Sequence, residues 1–109
     1  MALSDKDFKK LQDMQALTAE LEADIKTLAS FKKYLNATAK RQEQLGQFYQ
    51  EEWMELVDSE DFDEEQEAAL KKMVKKGHYS ILDQDTIWDA LNGIQDQYSS
   101  LLKALVKFF

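Results

Sequence analysis

The chain has no cysteine, no proline, three glycines and one histidine, and each shortage closes off a chemistry. Without cysteine there is no disulfide, no thiolate nucleophile and no cysteine-ligated zinc, a composition that fits a reducing compartment. One histidine is too few for the two Glu-x-x-His motifs of a di-iron carboxylate bundle and for an H-E-x-x-H zinc site. Gly46, Gly77 and Gly93 are scattered, so there is neither a P-loop nor a G-x-G-x-x-G turn. Ser59, Ser80, Ser99 and Ser100 lack the G-x-S-x-G context of an activated serine. No cofactor and no metal is expected, and no small-molecule substrate is evident. Apolar runs fall short of the roughly 18–20 residues of a membrane span, and the start "MALSDKDFKK" is too polar for a secretory signal. The expected protein makes no stable membrane insertion and is cytoplasmic.

What is present favours helix throughout. Ala, Leu, Glu, Gln and Lys dominate, and these are the strongest helix formers. At 109 residues the length suits one domain spanning 1–109. The formal charge is −7, and residues 58–70 hold seven acids and no base, which accounts for all of it. Nucleic acid and anionic membrane are unfavourable partners for such a field, because phosphate binding rests on lysine and arginine.

From Asp5 to Asp58 apolar residues recur at helical spacing. Met14, Leu21, Leu28 and Leu35 fall seven apart, flanked by Leu11, Leu17, Ile25 and Phe31; the phase skips Gln42 and resumes at Tyr49 and Leu56. An interval of seven reads as a seam between helices. The stretch "NATAKRQEQ", Asn36 to Gln44, has only alanine as apolar content. A single helix from 4 to 57 would run about 80 Å, so a break near 36–38 is expected, with Asn36 or Thr38 as cap; one long bent helix over 30–44 is the alternative. Residues 58–62 form a turn. A short helix over 63–76 opens on Asp63, Glu64, Glu65 and Glu67, closes on Lys71, Lys72, Lys75 and Lys76, as the helix dipole favours, and stops at Gly77. Asp83 caps a last helix whose face, Ile87, Leu91, Ile94, Tyr98, Leu101, Leu105 and Phe108, alternates steps of four and three and is expected to be buried. Trp88, Leu102 and Phe109 widen that face. The fold class is therefore all-α: a three- or four-helix antiparallel bundle with long coiled-coil-like helices and one short connecting helix.

The acidic stretch fails as a calcium loop. An EF-hand alignment beginning at Asp61 puts Gln66 where the turn glycine belongs and Lys72 where the bidentate glutamate belongs. Weak cation binding by the 58–67 carboxylates stays open. Glu51/Glu55 and Glu52/Glu55 lie on one helix face, whereas glycosidase chemistry needs carboxylates across a cleft. His78 reads as a solvated connector histidine, with a general base or pH switch as the sharper reading. Phe48, Tyr49, Trp53 and Trp88 read as core aromatics with a partner-binding hot spot as the alternative.

Two segments, "QFYQEEWMEL" and "KKGHYSILDQDTIWDAL", resemble a family of small helical proteins of low-GC Gram-positive bacteria that is known only as a domain of unknown function. The matching residues are Phe48, Tyr49, Glu52, Trp53 and Met54, then Lys76, Gly77, Asp85, Ile87, Trp88 and Leu91. The family's Leu-Pro step is absent here, replaced by "DEEQEAALKKMV", and the turn after Gly77 is longer. The resemblance implies an all-α fold and a bacterial source and brings no activity with it. Two functions follow from the sequence. The first is a non-enzymatic cytoplasmic helical protein acting through protein–protein contact or self-association, its partner another protein or a second copy. The alternative is a bacteriocin-immunity-type four-helix bundle, in which "LLKALVKFF" would meet a membrane-embedded partner.

Overall fold

The computed structural model describes residues 2–59 and 62–109. Among them are four helices, α1 (Asp5–Glu51), α2 (Trp53–Asp58), α3 (Glu64–Lys75) and α4 (Gln84–Val106), and no strand. The all-α class follows directly. The expected turn over 58–62 falls partly on residues 60 and 61, which lie outside the described residues, as does the Asp61 start of the calcium-loop alignment.

Helix α1 does not break near 36–38. It continues through Asn36–Gln44 to Glu51, which is the alternative the sequence left open. The physical reason is local: alanine is the strongest helix former, and nothing between 30 and 44 is glycine or proline. An interruption in apolar content ends a seam, not a backbone hydrogen-bond ladder. The departure from α-geometry comes instead at Glu52, with φ −130° and ψ −25°. Even there Glu52 N–H donates to the Phe48 carbonyl at 2.9 Å and the Glu52 carbonyl accepts from Leu56 N–H at 3.1 Å, so α2 follows α1 across a local offset.

The chain divides into two compact units, Met1–Ala39 and Lys40–Phe109, with the division inside α1. In the first unit the helix is entered at Ser4, whose Oγ accepts from Asp7 N–H at 3.2 Å, with Asp5 and Asp7 at the positive end of the dipole. Thr18 and Thr27 turn their hydroxyls back onto the carbonyls of Met14 and Ala23, at 2.8 and 3.3 Å. Phe31 and Tyr34, one turn apart, stack with centroids 6.2 Å apart. No residue of α1 is buried.

The second unit holds the core. Among the described residues only Trp53 (7% exposed) and Ile87 (1%) are buried, while Leu45 and Tyr49 of α1 and Leu91, Ile94 and Tyr98 of α4 are half-buried. Gln42, the polar member of the α1 phase, meets Gln95 of α4 at 3.4 Å. The expectation that the whole α4 face is buried needs correction. Burial is complete at Ile87, partial through Leu101, and gone at Leu105 and Phe108. Periodicity fixes which side of a helix is apolar; how much of it is covered depends on what lies opposite.

Helix α3 forms where its end signals place it. Asp63 accepts from Gln66 N–H at 2.8 Å while Gln66 Oε1 accepts from Asp63 N–H at 3.1 Å, a reciprocal capping box. At the other end Gly77 takes φ +96°. Gly77 N–H donates to Val74 O at 3.0 Å and His78 N–H to Met73 O at 3.1 Å, the two bonds of a Schellman closure. Asp83 does stand at the N-cap of α4 in extended geometry, but its side chain makes no cap bond. The turn before it is organised by Ser80, whose Oγ accepts from Leu82 N–H at 3.2 Å and whose carbonyl accepts from Asp83 N–H at 3.1 Å.

Candidate functional site

Two features stand out, an aromatic junction in the second unit and an exposed apolar stripe in the first. The junction is centred on Trp53, the first residue after the offset at Glu52. Its indole Nε1–H donates to the Ile81 carbonyl at 2.8 Å, which gives a buried ring its required partner. The Tyr49 ring lies one turn earlier, 5.5 Å from Trp53 and tilted by 52°, within the range of favourable aromatic pairs. Tyr49 also lines a small depression of about 300 Å³ with Gln84, Asp85 and Trp88 of the first turns of α4. The segments "QFYQEEWMEL" and "ILDQDTIWDAL", distant in sequence, therefore meet here.

Not every residue singled out in the sequence joins them. Ile87 is at the centre of the core, while Trp88 beside it is 57% exposed; the expectation that Trp88 is core is corrected, because its position one residue from Ile87 points it off the packed face. Met54 is exposed, and Gly77 serves the end of α3. Phe48 and Glu52 line a separate open depression of about 580 Å³ with Arg41, Gln44 and Glu51. Sequence reasoning missed Ile81, whose contribution is a backbone carbonyl and leaves no trace in residue type. It also missed the apolar void of about 730 Å³ that Leu70 and Met73 of α3 share with Ile81, Thr86 and Ala90; the three-residue spacing of Leu70 and Met73 was its only signal.

His78 sits exposed in the connector, and among the described residues no group of three or more His, Cys, Asp or Glu side chains is placed to hold a metal ion. Among the same residues no helix is long and apolar enough to cross a membrane.

The stripe is the larger feature. Nine large apolar side chains, from Phe8 to Tyr34, remain 37–66% exposed. Their steps along the chain are three, three, three, four, four, three, three and three, one winding band on the helix. A single exposed leucine is ordinary; a contiguous apolar band of this length is not. Set against protein-family models, curated proteins and solved structures, the chain matches none.

Proposed function

We propose that this is a non-enzymatic, cytoplasmic helical protein that works through protein–protein contact, self-association included. The contact surface is the apolar stripe of α1, and the second unit is an antiparallel helical bundle. The single observation that carries the reading is the exposure of all nine stripe residues from Phe8 to Tyr34, since solvent contact over such a band is unfavourable at roughly 25 cal/mol per Å². The antiparallel arrangement is supported by pairings that run in opposite senses, Gln42 with Gln95 and Tyr49 with Asp85 and Trp88. Residues 58–70, with their seven acids, leave the charge unsuited to nucleic acid.

The test compares the parent with Leu17→Glu/Ile25→Glu, two exposed positions whose change spares the core. Light scattering and affinity capture are run on both. Oligomer or captured partner lost on substitution supports the reading; a parent that is strictly monomeric and captures nothing refutes it.

A second reading, an immunity-type bundle protein, draws on one observation: Phe108 and Phe109 are almost fully exposed at the end of α4, beside Lys103 and Lys107, as a membrane-facing partner would require. A bacteriocin-sensitivity assay with Phe108→Ser/Phe109→Ser decides it, and no protection by the parent chain sinks it.

A further inference from the structure

The stripe is symmetric about its own midpoint. Counting outward from Leu21, Leu17 mirrors Ile25, Met14 mirrors Leu28, Leu11 mirrors Phe31 and Phe8 mirrors Tyr34. A two-fold contact brings residue i of one copy to residue j of the other and j to i. When two such helices lie antiparallel with Leu21 at the dyad, Leu21, Met14 with Leu28 and Leu17 with Ile25 meet apolar residues of the second copy, Leu11 and Phe31 border the contact, and Phe8 and Tyr34 wind off that face. Hydroxyls do not spoil the face, because Thr18 beside it has already spent its donor on the Met14 carbonyl.

Size and helix dipoles point the same way. The seven side chains from Leu11 to Phe31, roughly half exposed, offer on the order of 100 Å² each, at most about 1,400 Å² for two copies, within the roughly 1,200–2,000 Å² of a stable interface. Residues 1–39 carry six acids and six bases, whereas residues 40–109 carry fifteen acids and eight bases. The whole charge of −7 thus lies beyond the stripe. Parallel pairing would align the dipoles of the two α1 segments; antiparallel pairing opposes them.

We infer that residues 11–31 of α1 form an antiparallel, two-fold homodimer with a second copy of this chain, centred on Leu21. The inference rests on the protein-contact reading above. Met14, Leu21 and Leu28, seven apart, set the seam, and that interval implies a left-handed supercoil.

The absence of cysteine makes the test clean. Full-length Met14→Cys and Leu28→Cys, each with a tag of different size, are mixed and oxidised in a glutathione buffer. Both positions are exposed, so neither change threatens the core. The expected product is the 14–28 heterodisulfide, in about tenfold excess over either homodisulfide, because only opposed positions reach disulfide distance. In parallel, Leu21→Glu is expected to raise the dimer dissociation constant by about 100-fold or more with the helical circular dichroism retained. Homodisulfides in excess overturn the antiparallel dimer while leaving self-association standing. No cross-link above the level seen in urea, with a monomer by light scattering, overturns the homodimer altogether; protein contact then stands or falls on the capture experiment.

Discussion

Replacing Trp53 with alanine should remove a large part of the stability of the second unit. A buried indole hides about 150–250 Å², worth roughly 4–6 kcal/mol at about 25 cal/mol per Å², an upper bound because the unfolded chain already hides part of it. Tryptophan-to-alanine changes in cores cost about 3–5 kcal/mol, and losing the 2.8 Å bond to the Ile81 carbonyl belongs within that figure at about 1 kcal/mol. A chain of 109 residues has roughly 5–15 kcal/mol in all, so the loss is about a fifth or more. Trp53→Phe separates the two contributions: it keeps most of the ring and loses only the donor, at about 1–2 kcal/mol. The assay is urea denaturation followed by circular dichroism for every variant; for the parent alone, a Trp88→Phe background leaves Trp53 as the sole tryptophan and adds a fluorescence probe. Trp88 is 57% exposed, so that background costs little. Native emission should be blue-shifted and move to the red at the unfolding midpoint. A Trp53→Ala protein within about 1 kcal/mol of its parent would refute the reasoning and return the ring to the role of a docking surface.

Other positions give smaller and differently signed effects. Gly77 has φ +96° with open space where a Cβ would go, so Gly77→Ala destabilises by about 1 kcal/mol through backbone strain alone. Gly93 is inside α4 with equally open space, and Gly93→Ala stabilises by about 0.5–1 kcal/mol; a raised urea midpoint for Gly77→Ala or a lowered one for Gly93→Ala would contradict the corresponding expectation. Asp63→Ala removes the capping box and costs α3 about 1 kcal/mol, read by amide exchange within α3. The Tyr98 hydroxyl is buried without a hydrogen-bond partner among the described residues, so Tyr98→Phe should be neutral or stabilising by up to about 1 kcal/mol; a clear loss of stability would show that the hydroxyl is engaged. Glu20, Glu22 and Asp24 of both copies gather near the proposed dyad, so dimerisation should strengthen with salt as their repulsion is screened. Weakening with salt in equilibrium sedimentation would contradict that register.

What the sequence disclosed depended on how local each cause was. Helix α3 was legible to the residue or two at both ends, because Asp63, the lysines and Gly77 act within a single turn. The continuity of α1 was misread, since Asn36–Gln44 lacks large apolar residues and a missing seam was taken for a missing helix. The apolar side of α4 was legible from its spacing, but the fading of burial from Ile87 to Phe108 depends on what stands opposite. Trp53 was recognisable as a core residue, while Trp88, equally aromatic and on the flank of a stripe, proved exposed. The meeting of Trp53 with Ile81 was invisible, because the acceptor is a carbonyl that every residue possesses.

That bond ties residues 28 positions apart, and it has a consequence for motion. Everything between Met54 and Ser80, α3 included, is a closed excursion whose two ends are already pinned at Trp53 and Ile81. Helix α3 buries none of its residues and faces a void of about 730 Å³, so little beyond its own caps resists its opening. It should therefore unravel and re-form as a separate cooperative unit, exchanging its amide protons and admitting proteases at a free energy well below that of α4. The loop-closure entropy already surrendered at Trp53 keeps that excursion short and its return fast.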